Sequence, residues 1–188
     1  GVEFFGGTAN IKHLVVTGVG DDALDWTDGW QGSGQYVILQ QHLDAGDNGI
    51  EADNNGENNM ATPMSNPTLS NMTIIGSGGA SSDLGILLRE GTGAFIANTL
   101  VYGWGDASLD VDGDATWANA DIGDLAMIGT LVDSNTNFKL DNGEPQLVED
   151  WFYADNSNEE GGFALTDAQN QTEPNFLPVD IIDGAITM

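Results

Sequence analysis

The chain has 188 residues, enough for one domain with a substantial core, and 40% of them are hydrophobic, which excludes a chain disordered by composition. Thirty Asp and Glu stand against three Lys and Arg, a formal net charge of −27. That balance excludes nucleic acid and anionic membrane surfaces as partners, and no apolar run of about 18 residues offers a membrane span. Cysteine is absent, and the 26 glycines, set among many Asn and Asp, announce frequent turns. With long amphipathic helical patterns nearly missing, the expected class is all-β.

The first predicted element is the string GVEFFGG at Gly1–Gly7, in which Val2 and Phe4 flank Glu3, and a β-branched run, IKHLVVTG, follows from Ile11. The pair then recurs along the chain. ALDWTDG sets Leu24 and Trp26 about Asp25 and precedes YVILQQH from Tyr36. GIEADNN sets Ile50 and Ala52 about Glu51 and precedes NMTIIGS from Asn71. GILLREG sets Ile86 and Leu88 about Leu87 and precedes NTLVYGW from Asn98. SLDVDGD sets Leu109 and Val111 about Asp110 and precedes LAMIGTL from Leu125. Period-two alternation marks a half-buried strand, with flanking residues inward and middle residues outward. From Val2 to Leu24, Ile50, Ile86 and Leu109 the spacings are 22, 26, 36 and 23 residues, the length of one coil of a parallel solenoid. One coil cannot bury its apolar side alone, but stacked coils share a continuous core.

These strings carry a resemblance. GDDALDWTDGW, GDNGIEADNNGENN and GILLREGTG resemble the rungs of right-handed parallel β-helices of the pectin-lyase-like superfamily, in particular bacterial secreted β-helix proteins. The likeness covers about residues 1–131 and implies about five coils; 132–188 lie outside it, lose the repeat, and are read as an irregular C-terminal cap of the same domain. It also implies secretion or a cell-surface location. It leaves activity open, because the superfamily holds polysaccharide lyases, glycoside hydrolases, adhesins and structural proteins.

Stacking turns the repeat into columns of charge. Asp21, Asp47, Asp83 and Asp106 form one column at the turn entering the strand; Glu3, Asp25, Glu51 and Asp110 form a second, interrupted at Leu87. At about 4.8 Å between rungs, like charges repel by roughly 1 kcal/mol per pair. Asx-turns, calcium and salt are the available remedies. Two calcium candidates place oxygen side chains at alternate positions beside a glycine: Glu51, Asp53, Asn55 and Glu57, and Asp110, Asp112 and Asp114. No organic cofactor is expected.

The catalytic candidates are Asp25, Glu51 and Arg89. A lyase of the superfamily uses an Arg or Lys base, and only Lys12, Arg89 and Lys139 exist here. Arginine is ordinarily protonated, so an ion pair with a neighbouring acid is the leading expectation for Arg89. Gly20-Asp21-Asp22 is similar to one short hydrolase motif, but the companion Gly-His-Gly and Arg-Ile-Lys motifs are absent. His13 and His42 are given structural or surface roles. The balance leans against catalysis, towards a structural or adhesive β-helix associated with calcium; the alternative is a domain that binds or cleaves a polysaccharide near Asp25, Glu51 and the long loop of the third coil, Ala52 to Pro67. Trp26, aligned with Phe4, is expected in the core, Trp30 and Trp104 near the rim, and Met60 and Met64 folded back on the coils.

The first residues already belong to a rung, which exposes strand edges. The expectation is a piece of a longer protein, or an end covered by another copy stacked end to end. Near the C-terminus, PQLVEDWFYADN predicts a short helix or strand around Val148 to Ala154, and NFLPVDIIDGAITM is read as a cap. Asn71-Met72-Thr73 and Asn170-Gln171-Thr172 match the glycosylation acceptor pattern.

Overall fold

The structure is a computed structural model and describes residues 1–79, 82–141 and 143–161. Two parallel sheets face one another across the core. The first contains β1 (Val2–Phe5), β3 (Leu24–Thr27), β5 (Ile50–Ala52), β7 (Leu84–Leu88) and β9 (Ala107–Val111), in that spatial order. The second runs through β2 (Ile11–Thr17), β4 (Ser33–Gln40), β6 (Thr68–Ile75) and β8 (Ala94–Tyr102). It ends on β10 (Leu125–Ile128) and β11 (Leu131–Asp133), both paired to β8, and on β12 (Glu159–Glu160). Every strand pairs with its counterpart one coil away, so the chain is an all-β parallel β-helix. Helices α1 (Asp114–Ile122) and α2 (Val148–Phe152) interrupt the later coils. No helix of the described residues is long and apolar enough to cross a membrane.

The alternation in the sequence maps directly onto the core. Leu24, Trp26, Ile50, Ala52, Ile86, Leu88, Leu109 and Val111 are all fully buried. A large aliphatic or aromatic side chain contributes about 1.5–3 kcal/mol on full burial, so the inward columns hold the coils together. The second sheet bends at one corner per coil, where His13, Tyr36, Asn71, Asn98 and Gly129 share a left-handed backbone. Asn and Gly suit that conformation; His13 and Tyr36 stack their rings instead, 5.1 Å between centroids.

Trp26 lies in the core as expected, its indole N–H donating to Thr92 Oγ1 at 3.0 Å. Trp30 and Trp104 are not at the rim: both are buried. Trp30 stacks on Phe4 at 4.3 Å and donates to Ala9 O. Trp104 fills space vacated by glycine, since a Cβ at Gly49 would lie 2.7 Å from its ring and one at Gly85 would lie 3.1 Å from it. Met64 does fold back, its sulfur accepting from Asn119 Nδ2, whereas Met60 stays exposed.

Parallel pairing continues past residue 131. Leu131 pairs with Glu159, and Phe138 bridges to Leu109 as a further rung of the first sheet. The segment around Val148 is the helix α2, with Val148 and Phe152 buried. Asn71 lies within β6 and accepts a hydrogen bond from Asn98 Nδ2 at 2.5 Å, while Thr73 is buried; neither suits a glycosylation acceptor. Asn170 and the NFLPVDIIDGAITM segment lie outside the described residues.

Candidate functional site: the acidic face of the first sheet

Strand register brings the predicted outer column together. Glu3 pairs with Asp25, Asp25 with Glu51, Glu51 with Leu87, and Leu87 with Asp110. The turn column also aligns, the Asp83 N–H donating to Asp47 O and that of Asp106 to Asp83 O. The outer side is less open than alternation alone implies. Asp25 and Glu51 are half-buried, and Leu87 and Asp110 are buried. On that side Leu87 joins Leu84 and Ala107 in a second apolar cluster.

Three carboxylates converge near the middle of this face. One oxygen from each of Asp22, Asp25 and Glu51 lies within 4.8 Å of the others. Asp22 reaches the group from the turn before β3 and is buried, its Oδ1 accepting the Asn48 N–H at 2.8 Å. Asn48 is the hub. Its Nδ2 donates to Glu51 Oε2 at 3.2 Å, its Oδ1 accepts the Leu84 N–H, and its carbonyl accepts from Gln41 Nε2. Burial, reinforced by the charges of Glu3 and Glu51 on neighbouring rungs, pushes the Asp25 carboxyl up to about 7. Burial also raises Glu51 to about 7, with Asp22 adding to the shift and Arg89 opposing it. Burial raises Asp22, against the hydrogen bonds from Asn48. Two adjacent rungs therefore carry carboxyl groups that exchange a proton near neutral pH.

Arg89 closes one end of this group. Its Nη2 meets Glu51 Oε1 at 2.5 Å and Asp53 Oδ2 at 3.2 Å, and its Nε meets Asp53 Oδ1 at 2.9 Å. The hydrogen bonds to Asp53 lead in raising its pKa still further, which holds Arg89 in its protonated form. The expected ion pair is present, and it sets a cation against Glu51 and Asp53, two members of the calcium set drawn from the sequence. Asn55 and Glu57 do not join them. Asn55 Oδ1 accepts the N–H groups of Glu57 and Asn58, an Asx-turn, and its Nδ2 donates to Asp28.

The second set is corrected at one position. Asp110 and Asp112 come together with Asp141, their oxygens within 4.8 Å, while Asp114 opens α1. An acid suits the first turn of a helix, whose free N–H groups favour negative charge. Asp141 arrives because Phe138 continues the first sheet beyond β9 and the Lys139 N–H donates to Leu109 O. Burial, then the charges of Asp112 and Asp141, raise Asp110 to about 7. Oxygen donors alone at this spacing are the chemistry a calcium ion takes. The trio of Asp22, Asp25 and Glu51 fits an ion less well, because Arg89 and Asn48 already occupy both Glu51 oxygens.

Sequence reasoning missed Asn48 and Asp141, and it named Asp22 only within the Gly20-Asp21-Asp22 motif and not as a partner of Asp25 and Glu51. Asp22 and Asn48 had a signal, since each directly follows an acid of the turn column. His13 stacks on Tyr36, and His42 Nδ1 accepts the Asp44 N–H, so neither joins the trio of Asp22, Asp25 and Glu51.

A family model described as a pectate-lyase-like β-helix domain matches residues 1–173. No curated protein and no solved structure matches the chain. With its parallel coils and a match over most of its length, the chain belongs to the pectate-lyase-like β-helix domain family.

Proposed function

We propose that this domain is carbohydrate-active, holding a polysaccharide outside the cell across the outer face of the first sheet, with Asp25 and Glu51 as its acid and base. The observation that carries this reading is the convergence of Asp22, Asp25 and Glu51, two of them near pKa 7. Carboxyls tuned towards neutrality on a shared face are the equipment of general acid and base chemistry and of glycoside cleavage. Arg89 is spent on Glu51 and Asp53, so an arginine base is disfavoured and the proton traffic falls to the carboxyls. Incubation with a panel of polysaccharides, read by new reducing ends and by the ultraviolet absorbance of unsaturated ends, tests it. Product that disappears in Asp25→Asn and Glu51→Gln supports it. No product and no binding across the panel sinks it.

A second reading has its own observation. Asp110, Asp112 and Asp141 form an all-oxygen trio where successive coils stack, which suits a secreted structural or adhesive β-helix stabilised by calcium. Thermal unfolding in calcium and in EDTA at fixed ionic strength tests it. A midpoint indifferent to EDTA removes this reading and leaves the first untouched.

A further inference from the structure

We infer that the face of the first sheet selects an uncharged glycan over a uronate chain, with Phe5 as the platform on which a sugar ring stacks. This rests on the glycan-binding reading above. Alternation and burial place Glu3 and Phe5 outward on the first rung, and register sets Asp25 and Thr27 beside them, with Glu51 and Asp53 next along the face. Phe5 is 67% exposed, an aromatic ring at the end of the face where its outward neighbours are Glu3, Asp25 and Thr27; the apolar cluster of Leu84, Leu87 and Ala107 lies further along. Its register partner Thr27 is turned to the chain, donating from Oγ1 to Asn54 O at 3.3 Å. An exposed aromatic face attracts the C–H face of a sugar, while flanking carboxylates accept hydrogen bonds from its hydroxyl groups.

Charge decides the class of sugar. The sequence holds three Lys and Arg in all. Arg89 is held by Glu51 and Asp53, Lys139 pairs with Asp106, and Lys12 lies on β2 in the other sheet, over the Tyr36 ring. Among the described residues, no Lys or Arg on this face is left to meet a uronate carboxylate. A uronate brought to about 4 Å from Glu3, or from Asp25 or Glu51 in the charged form, instead meets like charge, at a cost of about 1 kcal/mol per contact in water and more on a half-buried face.

The test is titration calorimetry of the intact chain at pH 7 with neutral xylo-, manno- and cello-oligosaccharides and with oligogalacturonate, in EDTA and again in calcium. The expected result is binding of a neutral oligosaccharide and none of oligogalacturonate in EDTA. Phe5→Ala should weaken it about tenfold or more without moving the unfolding midpoint, and Phe5→Trp should restore it. Oligogalacturonate binding above the neutral sugars in either buffer overturns the inference while leaving the glycan-binding reading standing, and so does unchanged affinity in Phe5→Ala. Failure to bind any of these sugars overturns both.

Discussion

At the scale of single residues, Arg89 and Asp25 pull in opposite directions. Arg89 offsets two partly buried carboxylates, so Arg89→Leu leaves both without their cation. Breaking a fully buried pair costs about 3–5 kcal/mol. The Arg89 side chain keeps 35% of its exposure, and solvent screening brings the expected loss to about 1–2 kcal/mol at pH 8. At pH 5 Glu51 takes up its proton and the loss shrinks; urea unfolding at the two pH values checks this. Asp25 is the reverse case. It sits between Glu3 and Glu51 and is held in a site that disfavours its charge. Asp25→Asn keeps the shape and removes the repulsion, so it should stabilise the fold at pH 8 by about 1 kcal/mol and give no gain at pH 5. If the same substitution also abolishes glycan turnover, Asp25 is a residue whose strain is retained for function. If stability falls at pH 8, the carboxyl is held by bonds that outweigh its neighbours' charge.

At the scale of strands and turns, Asn48 ties three coils. It lies in the turn before β5 and bonds back to Asp22 and forward to Leu84 at the start of β7. Asn48→Ala leaves the buried Leu84 N–H without its acceptor, at an expected cost of about 1–3 kcal/mol. Asn48→Asp should be tolerated at pH 5 and fail at pH 8, where a further charge joins the acids; denaturation midpoints separate the two. At the last coils, the calcium reading predicts that Asp141→Asn abolishes any calcium-dependent rise in the unfolding midpoint and that Asp114→Asn leaves it intact. An equal loss in both would place the ion elsewhere. The contrast between Asp114 and Asp141 also marks where sequence spacing stops being informative. Within regular coils, parallel pairing carries spacing directly into position, which is why Glu3, Asp25, Glu51 and Asp110 were legible as a column. Asp141 reaches Asp112 only after α1, two more strands and an irregular loop, so no fixed period connects them. Trp30 and Trp104 lie in the core and not at the rim for a related reason. Their burial depends on Phe4 and on glycines 49 and 85 in other coils, and those partners share no local pattern with them.

At the scale of the whole molecule, a charge of −27 with three Lys and Arg means that pH acts on the fold through its acids. Asp25, Glu51 and Asp110 each rise from the ordinary carboxylate range to about 7 in the folded chain. In the unfolded chain the same groups titrate near about 4. Between those values the folded state binds more protons than the unfolded state, so stability falls as pH rises. The contribution is fully present below about 4 and lost once pH passes about 7. Most domains lose stability on mild acidification as paired carboxylates take up protons; here the three raised carboxyls push the other way. With solvent screening, moving from pH 8 to pH 5 should stabilise the fold by about 1–3 kcal/mol, or raise the midpoint by about 5 °C for a domain of this size. Salt should flatten the dependence by screening the repulsion between rungs. Calorimetric scans across that range, at low and high ionic strength, read the slope directly. A midpoint that falls between pH 8 and pH 5 would mean that the acidic column is held in its charged form, by cations or by hydrogen bonds. The convergence of Asp22, Asp25 and Glu51 would then serve binding of a cation and not the holding of a proton.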